Sequence, residues 1–163
     1  MWCDVREYEI SPSLSIGESV LAELEQRAAD DGVALRIGVV LEHNGAVLLL
    51  ARDEWAGARG PLALPGTTVR LGEPLAVAVA RAVREETGLT VIDVLRHLGG
   101  FDYLSNAGKP VRREHFAVRV AGVGPIHLTN YSTYRWVPLD SDLTVTSSIR
   151  QIIATYSEGE QAH

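Results

Sequence analysis

The stretch LPGTTVRLGEPLAVAVARAVREETGL, residues 64–89, decides the fold. It opens on a Pro-Gly turn and runs into a helix over 74–87, with Gly88 at the position where helices stop. At about 100° per residue, Leu75, Val79, Ala82 and Val83 fall on one apolar stripe. Glu86 falls on the same stripe, whereas Glu85 lies to one side of it, one turn after Arg81. A carboxylate on the buried side of a helix is costly unless something satisfies it. A hard divalent cation does so, because it takes carboxylate and carbonyl oxygens. Just upstream, Gly66 in the turn lets the backbone approach such an ion closely. The residues alone leave two readings open. One is a Mg²⁺ or Mn²⁺ site between the helix and the glycine turn. The other is a helix whose glutamates are solvated and paired with arginine.

The spacing carries further. Glu73, Arg81, Val83, Glu85, Glu86, Gly88 and Leu89 stand in register with the pattern G-x5-E-x7-R-E-U-x-E-E-x-G-U, where U is a bulky aliphatic residue, and Leu64-Pro65-Gly66 precedes them. The stretch therefore resembles the Nudix box. The order of strands over Ala34–Trp136 is similar to a small Nudix domain, and GGFDYLSNAGKPVRREHFAV, residues 99–118, looks like the middle of MutT-like hydrolases. Two positions depart from the pattern. Thr67 stands for the first glycine, and Ala82 stands for the glutamate after the box arginine. Arg70 also occupies a variable position where glutamate is common.

The resemblance implies a Nudix-type α/β/α sandwich with a mixed β-sheet. It implies a metal held by Glu85, Glu86 and the Gly66 carbonyl, with Arg81 holding Glu85 through an i,i+4 pair and Glu73 buttressing the loop–helix junction. In the family, the glutamate replaced here by Ala82 ligates metal or positions the attacking water, so a ligand is removed from the site itself. Arg52, at the end of the second strand, matches a position that often meets a substrate phosphate. Its other reading is a solvated arginine at a strand end. The implied reaction is attack of water on phosphorus in a nucleoside triphosphate or another X-linked diphosphate. Because of Ala82, two alternatives stay open: a degenerate domain that binds a nucleotide-like ligand without hydrolysis, and a scaffold recruited to other biosynthetic chemistry. Glu114, Asp140 and Asp142 are candidate bases from outside the helix.

Outside the box, Ala34–Arg52 reads as two strands joined by Asn44-Gly45, the strongest short hairpin signal. Strands are expected in Leu89–Leu104, Val111–Val120, Pro125–Leu128 and Tyr134–Val137, and a last helix is marked by Leu143, Ile149, Ile152, Ile153 and Tyr156. Residues 1–33 read as a helical extension, leaving 34–163 as the Nudix domain. Within the extension, Ser15-Ile-Gly-Glu18 has capping-box spacing, Val20, Leu21, Leu24 and Ala28 recur at helical spacing, and Asp30-Asp31-Gly32 ends the helix. That helix packs on the sheet or makes a homodimer contact.

Trp55, Phe101 and Tyr103 are candidates to stack on a substrate base. Arg112 and Arg113 read as a solvated strand face, with phosphate contact as the alternative. His97, His115 and His127 lack metal-ligand spacing and read as structural. The net charge of −6 argues against a nucleic-acid polymer or an anionic membrane surface as partner. A lone Cys3 makes no intrachain disulfide and is not read as a nucleophile. Without a signal-peptide pattern or a long apolar run, the chain reads as cytoplasmic. Lys109 is the only lysine, an arginine bias that suggests a GC-rich bacterial genome.

Overall fold

The computed structural model describes residues 14–51, 62–129, 131, 133–140 and 145–161. The elements run α1 (Glu18–Asp31), β1 (Ala34–His43), β2 (Ala46–Ala51), β3 (Gly66–Thr68), α2 (Leu75–Thr87), β4 (Val91–Leu104), β5 (Pro110–Val120), β6 (Thr133–Pro138) and α3 (Ser147–Gln161). The sheet order is β4-β5-β1-β2-β6, with β3 also paired to β1. β1 and β5 are parallel and the other pairs antiparallel, so the sheet is mixed.

Side-chain alternation divides the core into two layers. Ile37, Val39, Leu41, Leu48, Leu50, Phe116 and Val118 pack with α1 and α2. Val40, Val47, Leu49, Leu98 and Ala117 pack with Ile149, Ile152, Ile153 and Tyr156 of α3. The result is an α/β/α sandwich whose central strands β1 and β2 are buried on both faces. Asn44 at φ 52° and Gly45 at φ 79° build the tight β1–β2 hairpin.

The phase of α2 is as its sequence periodicity predicts: Leu75, Val79, Ala82 and Val83 are fully buried, and Glu86 is 6 % exposed. Gly88 closes the helix at φ 79°, where its N–H reaches the Arg84 carbonyl. Val79→Ala is therefore expected to cost about 1–3 kcal/mol through lost burial and a residual cavity. Arg84, exposed and bonded to Thr90 Oγ1 at 2.9 Å, is expected to tolerate alanine within about 0.5 kcal/mol. Urea denaturation midpoints check the order, and the reverse order would mean the helix phase is wrong.

Local expectations fail in three places. Ser15 does not cap α1: the N-cap is Gly17, without a side-chain cap. Instead Ser15 N and Oγ donate to the Asp93 carboxylate, which ties the entry of α1 to β4. Val20 is exposed, while Leu21, Leu24 and Ala28 enter the core. Pro125–Leu128 is not a strand: His127 N donates to the Thr87 carbonyl at 2.8 Å, so this segment docks on the end of α2 rather than on the sheet. The third is β3, which reads from sequence as a turn, yet pairs Gly66–Thr68 with Arg36–Gly38. Leu143 lies outside the described residues.

Candidate active site

Arg81 and Glu73 build the rigid part of the site. Arg81 is buried and donates from Nε to Glu73 Oε2 at 2.8 Å and from Nη2 to Glu73 Oε1 at 2.9 Å, a bidentate fork. Nη2 also reaches the Thr68 carbonyl at 2.8 Å. Glu73 in turn accepts the Arg70 N–H at 3.0 Å, so one ion pair locks the β3–α2 loop to the helix. The side-chain bond to Arg81, helped by the Arg70 amide, holds the Glu73 carboxyl below its ordinary value, with burial opposing. The contact from Arg81 to Glu85 is longer, 3.3 Å from Nη1 to Oε2. Arg81 therefore serves mainly Glu73 and only secondarily Glu85. The Glu85 side chain is 41 % exposed, with Arg70 3.8 Å away.

Beside this lock lies a cavity of about 310 Å³ lined by Arg36, Gly66, Thr67, Thr68, Glu86, Arg113 and Tyr131. Glu86 and Gly66 thus share one wall. Gly66 must be glycine: a Cβ there would lie 2.2 Å from the Ile37 carbonyl oxygen and 3.0 Å from Arg113 Nη2. Tyr131 reaches the cavity because the preceding segment is pinned to α2, where Thr129 Oγ1 donates to the Glu85 carbonyl at 2.7 Å. Glu85 is not among the lining residues.

Arg112 and Arg113 part company because neighbours on a strand point to opposite faces. Arg112 is held by Asp102 at 2.7 Å and Asp31 at 2.8 Å, on the α1 side. Arg113 points instead into the cavity, which corrects the solvated-face reading. Glu114 shares the Arg112 face and bonds His97 Nε2 at 2.9 Å, away from Glu86. Asp140 sits in the turn after β6 and does not line the cavity. Arg52, Trp55, Asp142 and Cys3 lie outside the described residues.

Phe101 and Tyr103 are half-buried neighbours on β4, their ring centroids 6.2 Å apart, and Phe101 stands 5.3 Å from the His115 ring. Phe101 pairs across the ladder with Arg113. These rings adjoin the arginine without lining the cavity. Arg36, Arg113 and Tyr131 are the lining residues that sequence reasoning missed as a group. The available signal was the pair of small residues, Gly38 and Gly66, that makes room for the Arg113 guanidinium.

His115 is fully buried, and its Nδ1 lies 3.2 Å from the Gly99 carbonyl. Burial, then the Arg113 charge, push its pKa down to about 4. The neutral ring donates from Nδ1, since a carbonyl only accepts. The unfolded chain protonates first, near 6.5, so stability is expected to fall as pH drops from 6.5 towards 4. The His115 ring resonances should titrate near 4 by NMR; titration near 6.5 would contradict the burial argument.

Glu86, Glu85 and the Gly66 carbonyl are hard oxygen donors, and Glu86 and Gly66 border the same space, so the set fits a divalent cation in kind. It is a lean set. Ala82, where the box pattern has a carboxylate, is a fully buried methyl in the core, and the described residues contain no group of three or more His, Cys, Asp or Glu placed to hold a metal.

Comparison with known proteins agrees with this geometry. The chain is similar to the MutT protein of Methanosarcina mazei Go1, at 26 % identity over 78 % of this chain and 95 % of that one, with a TM-score of 0.63. It shares its fold with the E. coli dihydroneopterin triphosphate pyrophosphohydrolase, at 23 % identity over 77 % and 95 % of the two chains and a TM-score of 0.59. It also shares its fold with an ADP-ribose pyrophosphatase of Streptococcus suis, at 18 % identity over 80 % and 94 % and a TM-score of 0.60. Among curated proteins none matches. The NUDIX domain model matches residues 33–155, which take in the Arg81–Glu73 lock, the cavity and strands β1 to β6; the chain belongs to the NUDIX domain family.

Proposed function

We propose that the chain is a metal-dependent diphosphohydrolase, cleaving a nucleoside triphosphate or another X-linked diphosphate by attack of water on phosphorus. The observation that carries this reading is Glu86, a nearly buried carboxylate that opens into the same cavity as Gly66 and the Arg113 guanidinium. Family membership supports it, as do structural neighbours whose names describe pyrophosphohydrolases. Glu85, Glu86 and the Gly66 carbonyl would hold Mg²⁺ or Mn²⁺, which supplies charge neutralisation and an activated water when bound. Arg81 keeps the Glu85 end of the helix in place through Glu73 and Thr68. Arg52, Trp55, Phe101 and Tyr103 are assigned to the substrate side, with the two β4 rings offering a face for a base. The partner is a small-molecule diphosphate, and the products are a monophosphate-like fragment and phosphate or pyrophosphate.

Residues 1–33 form an extension to a domain spanning 34–163, and α1 is its part that can also serve a homodimer. Among the described residues no helix is long and apolar enough to cross a membrane, and we assign the chain to the cytoplasm. Ala82 favours a second reading, a domain that binds such a ligand without cleaving it. The two separate in a screen of nucleoside triphosphates, sugar nucleotides and dinucleotides with Mg²⁺ in ¹⁸O-water, read by mass spectrometry. The expected result is cleavage of one class with ¹⁸O in a phosphate product. Binding of a member without cleavage of any would favour the second reading.

A further inference from the structure

We propose that Arg113 and Arg36 form a subsite that captures the substrate's diphosphate group without a metal ion. This deepens the hydrolase reading and rests on it. The two residues are Cα partners on the parallel strands β1 and β5, about 4.8 Å apart as sheet neighbours are, and both line the cavity. Glu86 is the only acidic residue among the described lining, so two cations face one carboxylate.

The one buried arginine among the described residues shows what a structural role looks like here. Arg81 is forked to Glu73, and Arg112, half-buried as Arg113 is, bridges Asp31 and Asp102. Among the described residues Arg113 has no such carboxylate, and its Nε is buried without a hydrogen-bond partner. Its guanidinium is wedged between glycines: a Cβ on Gly38 would lie 3.1 Å from Nε, and a Cβ on Gly66 would lie 3.0 Å from Nη2. Burial and the neighbouring Arg36 charge both act against its protonated form. An arginine desolvated beside a second cation destabilises the fold unless an anion arrives.

The anion's chemistry follows from the geometry. Two adjacent guanidiniums can each fork to a different phosphoryl group, which a diphosphate offers and an orthophosphate does not. At about 310 Å³ the space is at the small end for ligand sites, so it suits the charged diphosphate and leaves the rest of the substrate outside. The arginine pair weakens the hold of Glu86 and its neighbours on a divalent cation until an anion offsets its charge. A diphosphate held by the pair would supply oxygens that the Ala82 position does not.

The test uses the full chain in EDTA, with inorganic pyrophosphate as probe. Calorimetry should give pyrophosphate binding at least about tenfold tighter than orthophosphate, and pyrophosphate should raise the wild-type Tm. Arg113→Met should do two things at once: raise the ligand-free Tm, because a half-buried charge with no carboxylate partner and an unbonded Nε is gone, and abolish the pyrophosphate shift. A merely structural arginine would lower the Tm when replaced. Arg36→Gln, at an exposed position, should fold normally and weaken pyrophosphate binding about tenfold. Absence of metal-free binding by the wild type, retained binding in either variant, or a lowered ligand-free Tm in Arg113→Met overturns the subsite. Metal-free binding together with no turnover of any diphosphate would sink the hydrolase reading and leave the subsite standing. Turnover without metal-free binding would do the reverse.

Discussion

Replacing Arg81 by methionine is expected to cost about 3–5 kcal/mol, because it strands a buried carboxylate. The side chains of Arg81 and Glu73 are 4 % and 9 % exposed, and the pair is joined by two short hydrogen bonds. The variant also leaves the Thr68 carbonyl without its 2.8 Å donor. Glu73→Leu added to Arg81→Met should recover much of the loss, since a well-packed apolar pair avoids the uncompensated charge. Acid adds a second signature. The folded-state pKa of Glu73 lies below its ordinary 4.5, so the pair's contribution is complete above that value and lost as pH falls below it. Chemical denaturation across pH should show wild type losing stability below about 4.5 more steeply than the double variant. Equal slopes, or a loss under about 1 kcal/mol for Arg81→Met, would mean the lock contributes little.

Glu86→Gln is expected to lower turnover at least a hundredfold, on the scale of removing a metal ligand or its charge from such a site. The substitution keeps the side-chain volume at a position 6 % exposed, so the fold should survive, and lost activity will not reflect unfolding. Ala82→Glu provides the contrast. It places a carboxylate where a methyl is fully buried in the core, one turn from Glu86, so the metal-free protein should be destabilised. Added Mg²⁺ should restore part of that loss by mass action.

The helix phase was legible because a 3.6-residue period and a carboxylate on the apolar stripe both locate one face, and burial of Leu75, Val79, Val83 and Glu86 follows from it. The β1–β2 hairpin was legible because only a few residue pairs adopt two consecutive positive φ values. Ser15 was misread for the opposite reason: its partner Asp93 is 78 positions away, and no local pattern reports it. Tyr131 escaped notice likewise, since its segment is placed by bonds from His127 and Thr129 to the end of α2. Arg113 was partly legible. Alternation requires that adjacent Arg112 and Arg113 face opposite sides, so they cannot form one solvated face. Which of them turns inward depends on Gly38 and Gly66, brought to it by strand register.

Hydrolysis is proposed to take place at the cavity shared by Glu86, Gly66 and Arg113. Its most direct test is steady-state turnover of one identified diphosphate in ¹⁸O-water at saturating Mg²⁺, by wild type and by Glu86→Gln of verified fold. The wild type is expected to place ¹⁸O in a phosphate product, and the variant to turn over at least about a hundredfold more slowly. Equal rates in the two proteins would contradict it.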